Sequence, residues 1–279
     1  MAANNKWWRR AGFNVFAWTV ILIIIFPLLW MILTSLKPQS ELFLTPPSIL
    51  PTEVTFEHYE RLLRETPFLT YMRNSIWLAI GTTLIVIVVA TLGAHSLVRF
   101  SYPGREPLAR MVLFTYLLPS VVLVIPLYLL MTKLGLANTL ASLIIAYTTF
   151  ALPYALWLLR SFMAAIPDDL EAAAMVDGAT RMQAFFDVLL PQAVPGIIST
   201  ALFTAILAWN EYLYALVLVN SDEVRPLTTG VINMLVTSFN IEWSLLMAAS
   251  VMMSVPLIFA FIFLQKYLTR GFGAGAVKG

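Results

Sequence analysis

Residues 166–196 read IPDDLEAAAMVDGATRMQAFFDVLLPQAVPG, and this stretch contains the signals for two short helices. Asp168 followed three residues later by Glu171 is a capping-box pattern, which predicts that a helix begins at this point. Gly178 readily adopts the left-handed conformation that ends many helices. The first helix is therefore expected to end after about two to three turns.

A second helix is predicted directly after the first. Thr180 with Gln183 repeats the capping pattern, and Pro191 and Pro195 are expected to interrupt this helix before the next apolar run. Helices this short are marginal in water because nucleation is costly, so the pair needs a surface on which to lie. The acidic first helix favours a protein partner over anionic lipid. Composition alone leaves open a membrane-surface pair that only connects two spans.

Long apolar runs lie on both sides of this stretch. Of the 279 residues 60% are hydrophobic and 11% are charged, with a mean hydropathy of +0.84, whereas about a quarter of the residues in a soluble domain are charged. About 20 apolar helical residues cross a bilayer core, and six runs reach that length: 13–36, 74–98, 111–132, 134–159, 188–221 and 243–265. The sequence predicts an all-α polytopic membrane protein, with one transmembrane domain over residues 1–279.

The distribution of basic residues predicts the orientation of these spans. With the N-terminus in the cytoplasm, the inside segments hold about twice as many Lys and Arg residues as the outside segments. We therefore expect a bacterial inner-membrane protein with both termini in the cytoplasm. The proline-rich loop 37–73 is then external and ordered, and the loop 166–191 and the tail 268–279 are cytoplasmic. The first apolar run is too long for a cleaved signal peptide and is expected to remain as a spanning helix.

Several classes of site are excluded by composition. The chain has no cysteine and two histidines, which argues against zinc or iron–sulfur centres, and a net charge of +2 does not favour nucleic acid. No GxxxxGK[ST] phosphate-binding loop occurs, so ATP is expected to bind to another chain. No arrangement of nucleophile, base and orienting residue is recognisable. We expect no metal, no cofactor and no enzymatic activity in this chain.

One acidic residue lies well inside an apolar run. Glu211 follows Asn210 and is flanked by Trp209, Tyr212 and Tyr214. An intramembrane carboxylate is costly and usually faces a cavity or a partner. Aromatic faces with nearby amide and carboxylate groups suit a sugar. The candidates for the border of a translocation path are Trp209, Asn210, Glu211 and Tyr214. A structural clamp between helices remains the alternative.

The loop 166–191 resembles the EAA motif of membrane-spanning subunits of ATP-binding-cassette importers. The resemblance rests on Glu171, Ala172, Ala173, Ala174, Met175, Asp177 and Gly178, followed by Val188, Leu190 and Pro191. The run AWNEYLYAL at 208–216, the tail GFGAGAVKG at 271–279 and the spacing of the spans resemble the shorter of the two permeases in carbohydrate importers of the maltose and trehalose type. In the family pattern the glutamate falls at position 172, where this chain has alanine. Glu171 lies about 100° away from that position on a helix.

The resemblance implies a transport function for the chain. The EAA helix is expected to rest on a cytosolic ATPase and to transmit its closure, and the tail to reach toward the ATPase dimer. The implied partners are a second permease, two copies of the ATPase that bind ATP and Mg²⁺, an external solute-binding protein, membrane lipid and a sugar, expected to be a di- or oligosaccharide.

Other functions remain open from the sequence alone. The same kind of importer permease could transport another small polar solute, such as a polyol or a phosphorylated sugar. A different class is an ion-coupled secondary transporter in which Glu211 binds a proton or cation. Such a carrier has no need of a cytoplasmic helix that ends in a glycine, so Gly178 favours the importer.

Overall fold

The computed structural model describes residues 4–46, 48–235 and 241–276, and within these ranges the chain is helical with no strand. The α-helices are α1 (Asn4–Ser35), α2 (Glu57–Arg64), α3 (Phe68–Arg99), α4 (Arg105–Tyr116), α5 (Ser120–Lys133), α6 (Leu140–Ala164), α7 (Asp169–Val176), α8 (Arg181–Gln183), α9 (Leu190–Asn210), α10 (Leu213–Leu218), α11 (Leu227–Leu235) and α12 (Trp243–Ala276). A 3₁₀ helix covers Gln39–Phe43, and a π-helix covers Ala184–Leu189. The all-α fold class is confirmed.

Five helical stretches of the described residues are long and apolar enough to cross a membrane, and a bent pair of helices raises the number to six. The predicted spans 74–98 and 243–265 lie within α3 and α12, and the predicted spans 13–36 and 134–159 overlap α1 and α6, although residues 134–139 precede α6. The backbone of the predicted tail continues α12 as far as Ala276, whereas residues 277–279 lie outside the described residues. Its role at an ATPase therefore stays a prediction.

The third predicted span is not one continuous helix. It consists of α4 and α5, which are bent by 96° at the short break between them. Pro119 occupies the position before α5 with an extended ψ of 124°. Proline disfavours helical conformation in the residue that precedes it, so the break follows from local sequence. Hydropathy alone did not reveal it.

The prediction that two prolines interrupt the second short helix was wrong. The chain is helical without a break from α8 through the π-helix to the end of α9. Pro191 is the second residue of α9, directly after the π-helix, and Pro195 lies inside α9. The interruption instead falls at Glu211, an extended residue between α9 and α10.

The described residues form two compact units, residues 1–68 with 231–255 and residues 69–230 with 256–279. The core of the second unit joins α3, α6, the π-helix and α9. Alanines spaced four residues apart face this core, Ala90 and Ala94 on α3 and Ala151 and Ala155 on α6, each at most 1% exposed. Small residues at this spacing allow helix backbones to approach closely. Such close packing stabilises helix association in lipid, where the hydrophobic effect between helices is weak.

In the first unit, the loop after α1 is organised around Glu41, which is 5% exposed. Glu41 accepts hydrogen bonds from the Ser48 hydroxyl, from Thr52 Oγ1 at 2.9 Å and from Thr52 N at 3.1 Å. Lys37 donates to the Ser48 carbonyl oxygen. The carbonyl oxygen of Lys37 accepts from Ser244 Oγ of α12 at 3.0 Å. The loop is therefore ordered, as the sequence predicted.

We expect this loop to lose stability in acid. The hydrogen bonds from Ser48 and then Thr52 lower the pKa of Glu41 below its ordinary value of 4.5, although burial opposes them. A lowered pKa contributes stability that is present above the ordinary value and is lost as the pH falls through the lowered value. Hydrogen exchange of the Thr52 amide, corrected for its intrinsic rate, should therefore accelerate as the pH falls below about 4.5.

The variant Glu41→Gln tests this expectation, because glutamine cannot be protonated in this range. Its Thr52 amide should exchange at a rate that changes little with pH. Glu53→Gln in the same loop is the matched control, since Glu53 is exposed, and it should keep the acid response. An unchanged acid response in Glu41→Gln would assign the effect to another group.

Candidate functional site

The helix α7 begins where the sequence predicted, but the predicted capping box is absent. Asp168 has helical dihedral angles, φ −70° and ψ −23°, and its side chain makes no capping hydrogen bond. Glu171 does not reach back to the helix start. It is 8% exposed and forms an ion pair with Nε of Arg99 on α3. The side chain of Glu171 therefore binds Arg99 on another helix instead of a backbone amide at the start of α7.

The end of α7 agrees with prediction. Gly178 has a φ of +96°, a conformation that residues with a Cβ rarely adopt. The amide of Ala179 donates to the carbonyl oxygen of Ala174 at 3.0 Å, and that of Gly178 donates to Met175 O at 3.2 Å. These bonds satisfy carbonyl groups that a helix end otherwise leaves open.

The second capping box is confirmed. The amide of Thr180 donates to Gln183 Oε1 at 2.8 Å, and the amide of Gln183 donates to Thr180 Oγ1 at 3.3 Å. Together with Gly178 this box fixes the short turn between α7 and α8. The position of α7 is thus defined by hydrogen bonds at its C-terminal end.

One face of α7 is apolar and exposed. Val176 is 87% exposed and Met175 is 39% exposed, and Ala172 and Ala173 are also exposed. Ala174 is half-buried and Asp177 is exposed. A contiguous exposed apolar surface is typical of sites that contact another protein, a membrane or a ligand. This docking face comprises Ala172, Ala173, Met175 and Val176.

The side of α7 that adjoins the docking face is held by α3. Arg99 also donates from Nη2 to the carbonyl oxygen of Ile166, just before α7, at 2.8 Å. His95, one turn earlier on α3, places Nε2 3.4 Å from Glu171 Oε1. Its ring lies 4.5 Å from that of Phe185 in the π-helix. Sequence reasoning missed Arg99, because no local pattern shows that a residue 72 positions away pairs with Glu171.

The break after α9 is organised by Glu211. Its carboxylate accepts hydrogen bonds from the amides of Tyr214 at 3.0 Å and Ala215 at 3.3 Å. It thereby caps the first turn of α10, where backbone amides have no partner inside the helix. Its carbonyl oxygen accepts from Thr228 Oγ1 of α11 at 2.6 Å. Glu211 therefore has a structural role at this break.

A single tyrosine connects the two helix breaks of the second unit. Tyr214, which is 1% exposed, donates from its hydroxyl to the carbonyl oxygen of Ser120, the first residue of α5, at 3.0 Å. Its ring stacks on Phe150 of α6, with 5.6 Å between centroids and 13° between planes. The break between α4 and α5 and the break between α9 and α10 therefore lie side by side.

A cavity of about 950 Å³ opens at these breaks. Of the predicted path residues, Asn210, Glu211 and Tyr214 line it, whereas Trp209 is 6% exposed and does not. The lining also includes Tyr212, which the sequence places beside Glu211, and Tyr116, Ser120, Thr149 and Phe150, which the sequence analysis did not single out. Hydroxyl groups beside aromatic rings can bind a polar solute that has apolar faces. Among the described residues, no group of three or more acidic or histidine side chains could hold a metal ion.

Comparison with known proteins gives concordant matches. A family model described as "Binding-protein-dependent transport system inner membrane component" matches residues 87–273. The chain is 36% identical over 266 residues to the diacetylchitobiose uptake system permease protein DasC of Streptomyces coelicolor, covering 95% of this chain and 96% of that protein. It is 35% identical over 260 residues to the trehalose/maltose transport system permease protein MalG of Thermococcus litoralis, covering 92% and 93%.

A solved structure matches the fold. It is that of a bacterial ABC transporter involved in the import of the acidic polysaccharide alginate, with a TM-score of 0.83 at 23% identity over 96% of this chain and 98% of that chain.

Proposed function

Because the chain belongs to the family of binding-protein-dependent transport system inner membrane components, we propose that it is the permease subunit of an ATP-driven importer that moves a sugar into the cytoplasm. Membership confirms the resemblance that the EAA motif indicated. The observation that supports coupling to an ATPase is the docking face of α7, an exposed apolar surface on a helix that hydrogen bonds and an ion pair hold in place.

The proposed assembly contains further subunits. This chain pairs with a second, homologous permease, and two copies of an ATPase subunit bind ATP and Mg²⁺ and contact the two EAA loops. An external solute-binding protein delivers the solute. The absence of a P-loop from the sequence supports the assignment of ATP hydrolysis to other chains.

The chain is a multi-pass inner-membrane protein, and we propose that both of its termini face the cytoplasm. The distribution of Lys and Arg supports this orientation. The docking face then lies in the cytoplasm, where an ATPase can reach it. The loop after α1, with its Glu41 network, lies on the external side and is available to the binding protein.

The proposed solute is a sugar, of di- or oligosaccharide size. Relatives that match over nearly the whole chain are named for diacetylchitobiose and for trehalose and maltose. The cavity between the helix breaks combines Tyr116, Phe150 and Tyr214 with hydroxyl and amide groups, which suits a solute with stacked ring faces and many hydroxyls. Two broken spans at one cavity suit alternating access, because the short segments can reorient without bending a whole helix.

Two alternatives make different predictions. Another small polar solute would leave the assembly unchanged and alter only the solute that stimulates ATP hydrolysis. An ion-coupled carrier would need Glu211 as an ion site, whereas the carboxylate of Glu211 already accepts two backbone hydrogen bonds. The helix cap disfavours the carrier.

The first experiment is to tag this chain, extract it gently from its native membrane and identify the bound proteins by mass spectrometry. We expect to recover one homologous permease and one kind of ATPase subunit. The purified complex with its binding protein should then hydrolyse ATP faster when a panel of neutral di- and trisaccharides is added. Recovery of the chain alone or as a homodimer would contradict the proposal and favour the ion-coupled carrier.

A further inference from the structure

Glu171 points into its own chain. The side chains of Glu171 and Arg99 are 11% and 13% exposed, and their ion pair joins α7 to α3. A glutamate at position 172 would lie about 100° further round the helix, and the residue at that position, Ala172, is exposed. The chain therefore has an apolar docking face, and it uses its glutamate for an internal contact.

Arg99 holds the EAA loop at two separate points. Its Nε contacts the Glu171 carboxylate inside α7, and its Nη2 binds the Ile166 carbonyl oxygen before α7. A guanidinium group presents several donors in a rigid plane, so one side chain can fix both points at once. His95 adds a third contact from the preceding turn of α3, 3.4 Å from Glu171. Rotation of α7 relative to α3 would break the two contacts to Glu171.

The other end of α3 is fixed to a different part of the second unit. Tyr71 donates to Asp222 Oδ1 at 2.8 Å, and Asn74 Nδ2 donates to the carbonyl oxygens of Glu223 and Arg225 at 2.8 and 3.0 Å. These acceptors lie in the loop that follows α10. At about 1.5 Å per residue, Tyr71 and Arg99 are roughly 42 Å apart along the helix. One helix therefore connects the EAA loop to the loop beside the α9–α10 break.

We propose that Arg99, together with His95, is a positioning residue that joins α7 to α3 through Glu171 and Ile166, so that the two helices move as one body when the ATPase displaces the EAA loop. The proposal rests on the proposed function, because it requires an ATPase at the docking face. Displacement of α7 then reaches the far end of α3 directly. A packed rigid element of this kind can transmit motion between distant sites.

The test uses variants in the assembled complex of both permeases and the ATPase, reconstituted with the binding protein. Arg99→Met alone leaves Glu171 buried without its partner, which is destabilising. The double variant Arg99→Met with Glu171→Gln removes both charges and is expected to fold, since no uncompensated charge remains. It retains the docking face but lacks the contacts from Arg99.

The readout is the amount of sugar transported per ATP hydrolysed. In the double variant we expect the ATPase to co-purify as in the wild type, basal ATP hydrolysis to persist, and the transport ratio to fall by about tenfold or more. Arg99→Lys should restore part of the ratio, because lysine keeps the charge but cannot reach both points. Arg160→Met is the matched control. Arg160 forms an ion pair with Glu106 at 2.7 Å that links α6 to α4 and does not touch the EAA loop, so the ratio should stay at the wild-type value.

A distance measurement tests the rigid unit directly. The chain has no cysteine, so spin labels can be attached to the single pair Leu92→Cys on α3 and Leu170→Cys on α7, which are both exposed, and Leu170 is not part of the docking face. With Arg99 intact, we expect one distance that is the same without nucleotide and with ATP. In the Arg99→Met, Glu171→Gln background the distance should broaden or change with ATP.

The outcomes separate the two proposals. An unchanged transport ratio in the double variant, or a distance in the intact chain that changes with ATP, would overturn the role of Arg99 while leaving the importer assignment in place. Failure of the ATPase to co-purify with the wild-type chain would instead overturn the proposed function.

Discussion

Gly178→Val is expected to leave the chain folded and inserted while sugar-stimulated ATP hydrolysis falls by about tenfold or more. Gly178 has a φ of +96°, and no heavy atom beyond Gly178 and its two neighbouring residues lies within 4 Å of the position that a Cβ would occupy. The free-energy cost of placing valine at position 178 is therefore conformational. It amounts to about 1–2 kcal/mol for an ordinary residue in a left-handed conformation and more for a β-branched one. The last turn of α7, which includes Val176, is expected to unwind.

The control for this variant is Gly135→Val. Gly135 lies between α5 and α6 with a φ of +69° and equally open surroundings, so valine there introduces similar strain away from the EAA loop. Both variants should insert and retain similar thermal stability. Co-purification of the ATPase and its stimulated activity should fall only in Gly178→Val. Normal stimulated turnover in that variant would remove the basis for docking through α7.

Glu211→Ala is expected to reduce transport by about tenfold or more while the complex still assembles. Alanine leaves the amides of Tyr214 and Ala215 without their acceptor, and an unsatisfied buried donor costs about 1–3 kcal/mol. The start of α10, and with it the hydroxyl of Tyr214 on Ser120, should lose its fixed position. Initial uptake rates in proteoliposomes measure the effect.

The variant Glu211→Gln distinguishes the helix-capping role of Glu211 from a requirement for its negative charge. Glutamine retains one acceptor oxygen, so uptake should fall much less than in the alanine variant. Loss as severe as that of Glu211→Ala would indicate that the negative charge itself is required, as in an ion-coupled carrier. Glu223→Gln is the control, because Glu223 is exposed in the loop after α10. Unchanged kinetics in both Glu211 variants would assign the residue to packing alone.

Local signals in the sequence were sufficient to predict the turn between α7 and α8. The end of α7 depends on the backbone freedom of Gly178, and the start of α8 depends on a bond between residues three apart, Thr180 and Gln183. Both properties belong to neighbouring residues. The same reasoning failed at Glu171, since a buried arginine on another helix is a stronger partner than the amide at the helix start.

Hydropathy identified the spans but not their breaks. An average over about 20 residues does not register a single extended residue, so the sharp bend before α5 and the interruption at Glu211 were missed. The effect of Pro191 was overestimated because the sequence does not show the π-helix directly before it, through which the chain stays helical. The predicted path residues share one chain segment, whereas the cavity gathers side chains from α4, α5 and α6 as well.

The exposure of α1 has a consequence for biogenesis. None of the residues in its most apolar window is buried inside the chain, so its stability in a bilayer does not depend on later helices of the same polypeptide. It can partition into lipid on its own hydropathy, with its orientation set by the basic residues before it. The helices that follow α1 are then synthesised from a segment that is already anchored in the bilayer. The surface of α1 remains available to a neighbouring subunit.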